Sequence, residues 1–511
     1  MGIVVDQMRY DFLYRYADCY SKGGFQRMLR EGFSFSSCLY SYAPTYTGPG
    51  HASIYTGTTP GLHGIVGNTW FDAGAKRRYC AQDDSVTGIG TDGIEGKMSP
   101  ANMLAGSVAD QFKIAGNFQG KTFGIGLKDR GAIFPAGHGA NAAFWFDFEK
   151  GNFVSSSWYK GLNGKLPSWL QKFNNSGLVA SYLDSIWKPL LPLQRYKAST
   201  EDDKIWENPL IPNRAPVFPY RLKDLNTPDA VAASPFGNSL TNQLAMALID
   251  AEQLGKDSIT DFLAVSFSST DLIGHSYGPF AIETQDAYIR LDRELEKFFS
   301  YLDAKLGKGS YLCFLSADHG IMEIPAFLRD KQIPAGNFSS NKTLDSLRSI
   351  SIRLAGQDWL AGMDNLQLYF RDGFFNLEES KQKSMELAFI KWLEKQPGVL
   401  RAFSLRGEKP WPEPPLLEKF TLSFYPGRSG QVQILLKPGV LNQGSAKGTT
   451  HGAPYPYDSH VPCLWMGWKI KPGEDVQPFA IEDIAPTLSG LMHIGFPNAC
   501  TGKAHSIPLK P

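Results

Sequence analysis

Short apolar runs alternate along the chain with polar loops and amphipathic segments. Ile3–Val5 is an uninterrupted apolar run that stops at Asp6. Phe25, Met28 and Leu29 form a short helical face, and Phe33–Tyr42 is strand-like. Ser99-Pro100 has the form of a helix start, with Ser as N-cap and Pro in the first turn, and Leu104, Val108 and Phe112 follow at helical spacing. Thr122–Leu127, Phe262–Phe267 and Tyr311–Leu315 are further apolar runs without a polar face, as expected of strands buried on both sides. Tyr288, Leu291, Leu295, Phe298 and Leu302 mark one face of a long helix whose other positions are charged. Strands alternating with helices predict an α/β fold with a largely parallel central sheet and helices on both faces.

Two stretches break this rhythm. Residues 150–235 are rich in Trp, Asn and Pro with little periodicity. Residues 325–440 carry a helical pattern over Leu387–Leu393 and two short apolar runs, Phe420–Phe424 and Val432–Leu436, that predict a hairpin. Both are expected to be cap insertions within a single catalytic domain spanning 1–511.

Composition narrows the function classes. With 51 Lys and Arg against 50 Asp and Glu, the net charge of +1 leaves no footprint for nucleic acid. No apolar run reaches the roughly 20 residues of a membrane span. None of the six cysteines forms a CxxC pair, so a thiolate zinc knuckle is excluded; Cys313 and Cys463, inside apolar runs, are expected to be buried small hydrophobes. A core strand that begins almost at the first residue suggests a removed leader.

In open α/β sheets the ligand site lies beyond the carboxyl ends of the strands. Those ends carry Asp6, Thr47, Lys128, Arg130, Asp271, His275, Asp318 and His319, and His451 follows a Gly-rich loop. Asp271 and His275 are four apart and would share one face of a helical turn. Asp318 and His319 are adjacent at a strand end. Carboxylate and imidazole without thiolate suit a catalytic zinc site, with manganese, magnesium and calcium as competitors. Each motif has a plainer reading. Asp318 would serve as an N-cap, Thr47 as the N-cap of a helix over Pro49–Tyr55, and Asn68 as a turn residue. Lys128 and Arg130 would be a solvated pair. On the functional reading Thr47 is a nucleophile at a helix N-terminus, where the dipole favours phosphate. Lys128 and Arg130, facing the same way on an extended chain, clamp phosphoryl oxygens with Asn68 as a neutral donor.

Val4-Val5-Asp6-Gln7-Met8-Arg9-Tyr10, Pro44-Thr45-Tyr46-Thr47-Gly48-Pro49-Gly50-His51, Gly67-Asn68, Lys128-Asp129-Arg130, Asp271 through His275, Asp318-His319-Gly320 and His451-Gly452 stand in the order of a known family. The chain resembles the alkaline phosphatase superfamily, specifically its bacterial phosphate-irrepressible (PafA-type) members. The resemblance implies two Zn2+ per chain. Asp6, Asp318, His319 and the nucleophile Thr47 would hold one. Asp271, His275 and His451 would hold the other, with His460 a weaker substitute for His451. It places Asn68, Lys128 and Arg130 on the phosphoryl oxygens. It also implies hydrolysis of small phosphate monoesters through a covalent phosphothreonine, with inorganic phosphate as product. The expected location is periplasmic or secreted and the expected state a monomer. The alternative is a nucleotide pyrophosphatase/phosphodiesterase of the same superfamily. The cationic clamp argues for the monoesterase, because a monoester presents more negative charge than a diester.

Overall fold

The computed structural model describes residues 1–72, 74–406 and 416–511. Ten strands form the central sheet: β1 (Gly2–Val5), β2 (Phe33–Leu39), β3 (Gly88–Ile89), β4 (Thr122–Gly126), β5 (Ala142–Asp147), β6 (Asn152–Ser156), β7 (Phe262–Phe267), β8 (Leu312–Ser316), β9 (Cys463–Gly467) and β10 (Gly473–Ala480). Their spatial order is β10-β2-β9-β8-β1-β7-β4-β5-β6-β3. The central five, β8-β1-β7-β4-β5, are parallel. Strand β9 runs against β8 and β2, and β6 runs against β5 and β3. The central runs lack a polar face because both faces are covered. Val4, Val5, Ile125, Val265 and Leu315 all lie in one core.

The helices over Thr47–Thr56, Val108–Ala115, Asp129–Ala136 and Ile484–Met492 pack on one another, as do those over Phe25–Glu31, Pro235–Glu252, Ser269–Tyr277 and Ile282–Leu306. Both groups pack against the strands of the central sheet. The long helix behaves as its pattern predicts: Tyr288, Leu291, Leu295, Phe298 and Leu302 are all buried.

Two local expectations are corrected. The helix after Ser99-Pro100 starts later, at Val108, with Ser107 as N-cap. Ser107 Oγ accepts from the Asp110 N–H and the Asp110 carboxylate accepts from the Ser107 N–H, a reciprocal cap that Ser99 lacks. Ser99 Oγ instead donates to Asp83, and Leu104 is exposed. The expected hairpin over Phe420–Phe424 is not a hairpin either. Leu416–Ser423 is helical, with Phe420 packed against Phe403 and Leu435. Val432–Leu436 is a strand, but it pairs with Val399–Ser404 and Gln367–Phe370. A run this short cannot be assigned to helix or strand by periodicity alone.

Within residues 325–440, the segments Leu360–Asp364, Gln367–Phe370, Val432–Leu436 and Val399–Ser404 build a four-stranded antiparallel sheet. The helices Ser340–Ala355 and Glu379–Leu393 back it, around a core of its own that includes Leu347, Leu368, Phe389 and Ile434. Positions 407–415 of this stretch lie outside the described residues. Residues 150–235 hold short elements only, anchored where Trp187 is buried beside Tyr220 and Tyr277 and donates to Asp286 at 2.8 Å.

Candidate active site

Register brings the strand ends to one edge. Val5 pairs with Phe267, and Val4 with Ser316, so the segments that leave β1, β7 and β8 emerge side by side. They carry Asp6, the helix with Asp271 and His275, and Asp318-His319. Strand β9 is antiparallel and starts opposite Ser316, so the loop with His451 arrives at the same edge. Asp271 and His275 do share a helical turn, in Ser269–Tyr277.

Thr47 is the first residue of the helix Thr47–Thr56, whose N-cap is Tyr46. The helix starts two residues earlier than the sequence pattern suggests. Every residue in it is buried. Gly50 permits its approach to the site, since a Cβ there would stand 2.3 Å from the Asp318 carbonyl oxygen. Asn68 Oδ1 accepts from the Gly48 N–H at 2.8 Å, which leaves its NH2 group for another partner.

The acids and imidazoles converge. Asp6, Asp318 and His319 form one group of potential ligand atoms within 4.8 Å of one another, and Asp271, His319 and His451 form a second. His319 belongs to both. His275 Nε2 lies 3.2 Å and His451 Nε2 3.8 Å from Asp271 Oδ1. Each histidine places Nδ1 on a backbone carbonyl: His275 on Thr449 at 2.8 Å, His319 on Gly320 at 2.9 Å, and His451 on Thr45 at 2.7 Å. An Nδ1–H committed to a carbonyl in this way fixes the tautomer and leaves the Nε2 lone pair free to ligate, as in metal-binding histidines.

Burial lowers the pKa of His319. Burial and the neighbouring His319 and His275 hold that of His451 well below the usual histidine range. Burial also opposes a charged His275, but Asp271 overrides it and raises the pKa. Among the acids, burial followed by the charges of Asp271 and Asp318 pushes Asp6 well above the carboxylate range. Burial works against Asp271 and Asp318 too. Asp271 is nonetheless held well below its ordinary value by His275 and Lys128, and Asp318 is held low by His319 and His51.

Whether these residues suit a metal can be judged from their unpartnered atoms. Asp6 Oδ1, Asp318 Oδ2 and His319 Nε2 are all buried without a hydrogen-bond partner. His319 Nε2 is 3.5 Å from the first and 3.6 Å from the second. Three buried lone-pair atoms facing one another with no donor among them are costly, and a cation bound between them would remove that cost. The donor set fits a hard or borderline divalent ion.

Lys128 and Arg130 correct a further expectation. They are not on an extended chain, because Lys128 is the N-cap of the helix Asp129–Ala136 and Arg130 lies in its first turn. Lys128 Nζ donates to Asp6 Oδ2 and Asp271 Oδ2, both at 2.5 Å. Arg130 Nη1 donates to the Tyr79 hydroxyl at 2.9 Å, and its Nε is buried without a partner. Burial works against the charge on both cations, but Asp271 and Asp6 raise the pKa of Lys128, and Tyr79 and Asp129 raise that of Arg130.

Three supporting residues were not singled out from the sequence. Tyr79 orients Arg130 and also donates to Asp129. His51 places Nδ1 2.9 Å from the Thr47 carbonyl and 3.3 Å from Asp318 Oδ2, while Nε2 meets Ser266 Oγ at 2.9 Å. Its position four residues after Thr47 on the same helix was the available signal. Asp458 joins the two histidine loops. Its carboxylate accepts from the Ala453 N–H at 2.8 Å, and its carbonyl accepts from the Gly320 N–H at 2.7 Å. Burial pushes its carboxyl up to about 8. No short-range pattern announced it.

Residues 1–454 match the family model described as type I phosphodiesterase / nucleotide pyrophosphatase. An alkaline phosphatase PafA from Elizabethkingia meningoseptica is 42% identical over 98% of this chain and 93% of its own. The chain belongs to this family, in its PafA-type alkaline phosphatase branch. Alkaline phosphatase PhoV from Synechococcus elongatus is 41% identical over 100% of this chain and 92% of its own. A Myroides odoratus protein that is 40% identical over 98% of this chain and 93% of its own carries the name calcium-transporting ATPase. Among the described residues of this chain, no helix is long and apolar enough to cross a membrane. The crystal structure of PafA superimposes with a TM-score of 0.94 at 41% identity, covering 100% of this chain and 98% of that one. The α/β fold with its ten-stranded, mostly parallel sheet is therefore that of the PafA-type alkaline phosphatases.

Proposed function

We propose that this protein is a zinc-dependent phosphate monoester hydrolase that works through a phosphothreonine on Thr47. One observation carries the reading. Three buried, unpartnered ligand atoms on Asp6, Asp318 and His319 adjoin a second cluster on Asp271 and His451. Both stand at the strand edge to which the N-terminus of the Thr47 helix is delivered. Asp6, Asp318, His319 and Thr47 would hold one Zn2+, and Asp271, His275 and His451 the other. Bound zinc supplies Lewis-acid charge at the attacking and leaving oxygens of an in-line displacement.

The chain's own groups do the rest. Thr47 Oγ gives up its proton to water and attacks phosphorus, the P–O bond to the leaving group breaks, the departing oxygen takes up a proton from water, and the phosphoryl group rests on Thr47. Water then attacks the phosphothreonine, releases inorganic phosphate and restores the hydroxyl. In both steps the transition state is loose and negative charge spreads over the non-bridging oxygens. Lys128, Arg130 and the free NH2 of Asn68 meet that charge as preorganised donors. Tyr79 holds the guanidinium, and Gly48 holds the Asn68 amide the right way round. Substrates of this kind fit the periplasmic or secreted location expected from the sequence, and a monomer remains the expected state.

A second reading, a nucleotide pyrophosphatase/phosphodiesterase, is favoured by the description of the matching family model. Zinc content by elemental analysis, together with hydrolysis of a chromogenic phosphate monoester, tests the proposal. Two zinc ions per active chain and monoester turnover are expected; one metal or none in active enzyme contradicts it.

A further inference from the structure

Gln7 directly follows Asp6 and has a backbone unlike its neighbours. It is buried, with φ +69°, in the left-handed region. Glutamine has neither the missing Cβ of glycine nor the short polar side chain of asparagine that eases this conformation. Left-handed, non-glycine positions concentrate at functional sites, where surrounding interactions hold them.

At Gln7 those interactions are specific. Its N–H donates to Asp318 Oδ1 at 3.1 Å. Its side-chain Nε2 donates to Asp271 Oδ1 at 2.5 Å and lies 3.4 Å from the Asp271 carbonyl oxygen. Its own carbonyl accepts from the Tyr288 hydroxyl at 3.3 Å. A carboxylate only accepts, so the NH2 end of the amide must face Asp271. The Oε1 end lies against Gly274, where a Cβ would come within 1.8 Å. The glycine between Asp271 and His275 thus makes room for this amide.

The two acids held in this way belong to different halves of the site. Asp318 is in the group with Asp6 and His319, and Asp271 in the group with His319 and His451. Resting on the two-zinc reading above, we infer that Gln7 is a positioning residue that orients one carboxylate of each zinc site and so sets how tightly both sites retain metal. The left-handed turn aims its N–H at one carboxylate while the side chain reaches the other. The plainer alternative is a buried amide that only fills space.

Variants of matched size separate the two. Gln7→Met keeps the length and removes the donor. Gln7→Glu keeps the shape and turns a carboxylate towards Asp271. Zinc-loaded wild type and variants are titrated with EDTA, and retained zinc is measured by elemental analysis beside the thermal unfolding temperature. Loss of an outer-shell partner costs about 10–100-fold in metal affinity, so Gln7→Met should release half its zinc at a roughly 10–100-fold lower EDTA concentration. Gln7→Glu should release it at a lower concentration still. A space-filling role predicts wild-type retention in both variants, and that result overturns the inference. Should Gln7→Met fail to fold, Gln7→Gly suits the left-handed backbone and keeps the N–H to Asp318. It too must release zinc more readily than wild type, and wild-type retention would count against the inference equally. Wild type that holds no zinc would overturn the two-zinc reading itself, a result distinct from equal retention in wild type and variants.

Discussion

A threonine hydroxyl is a poor nucleophile at neutral pH, so the importance of Thr47 lies in its surroundings. It opens a fully buried helix, its carbonyl is held by His51, and the residue after it anchors Asn68. Thr47→Ala is expected to lower kcat by at least about 10³-fold while the fold and bound zinc persist, as removal of a covalent nucleophile does elsewhere. Thr47→Ser should keep substantial activity, because a primary hydroxyl can also attack. Acid quench during turnover should place phosphate on Thr47; label on another residue would refute the assignment. At this scale the clustering of Asp6, Asp318 and His319 was legible, because these residues interrupt a hydrophobic pattern at the ends of apolar runs. Tyr79 and Asp458 were not legible. Each acts on a residue distant in sequence, and neither breaks a local pattern.

Among the elements, the helix Thr47–Thr56 shows how closely the site is packed. Gly50 has a negative φ, so its requirement is space. An added Cβ would meet the Asp318 carbonyl oxygen at 2.3 Å and Asp318 Cβ at 2.8 Å. Backbone cannot yield there as a side-chain tip can. Gly50→Ala is therefore expected to cost about 1–3 kcal/mol of stability through overpacking. It should also lower kcat/KM by displacing Asp318 relative to Thr47. Thermal unfolding and steady-state kinetics on the zinc-loaded variant check both; an unchanged kcat/KM would show that the loop relaxes without consequence. Elements were legible where a single periodicity ran long enough. Tyr288 to Leu302 covers four turns and could only be a helix. Phe420–Phe424 covers about one helical turn, and its packing against Phe403 and Leu435 depends on a strand arriving from elsewhere. The start near Ser99 failed for a related reason: a serine before a proline resembles a cap, but the reciprocal bonds of Ser107 and Asp110 decide where the helix begins.

Across the whole molecule, charges are buried well beyond the site. Glu207 lies in the stretch 150–235, and burial, reinforced by Asp202, lifts its carboxyl to about 8. A carboxyl with a raised folded-state pKa binds its proton more tightly when folded. The stability this brings is complete below the unfolded value of about 4.3 and is lost as pH rises towards 8. Glu207→Gln cannot lose that proton. Its unfolding temperature should match wild type near pH 4 and exceed it at pH 9, by the equivalent of roughly 3–5 kcal/mol. A constant difference across this range would contradict the assignment. Removing zinc with a chelator should lower the unfolding temperature at every pH, because metal bound only by the folded state stabilises it by mass action. The central sheet was legible at this scale, since strands buried on both faces are hydrophobic throughout. The interior of residues 325–440 was not: its four strands pair out of chain order, and only contacts remote in sequence determine that order.

The central claim is that the site is built for the charge of a monoester, and Lys128 and Arg130 test it most directly. The decisive measurement is kcat/KM for a phosphate monoester and a phosphate diester with the same leaving group, at saturating zinc, in wild type, Lys128→Ala and Arg130→Ala. Saturating zinc matters because Lys128 also bridges Asp6 and Asp271, and metal loss must not pass for loss of the clamp. Preorganised donors contribute ~3–4 kcal/mol to a transition state, and each 1.36 kcal/mol is about a factor of ten in rate. Wild type should prefer the monoester, and either variant should lose roughly 10–1000-fold on it and clearly less on the diester. A wild-type preference for the diester, or equal losses on both substrates, would contradict the account.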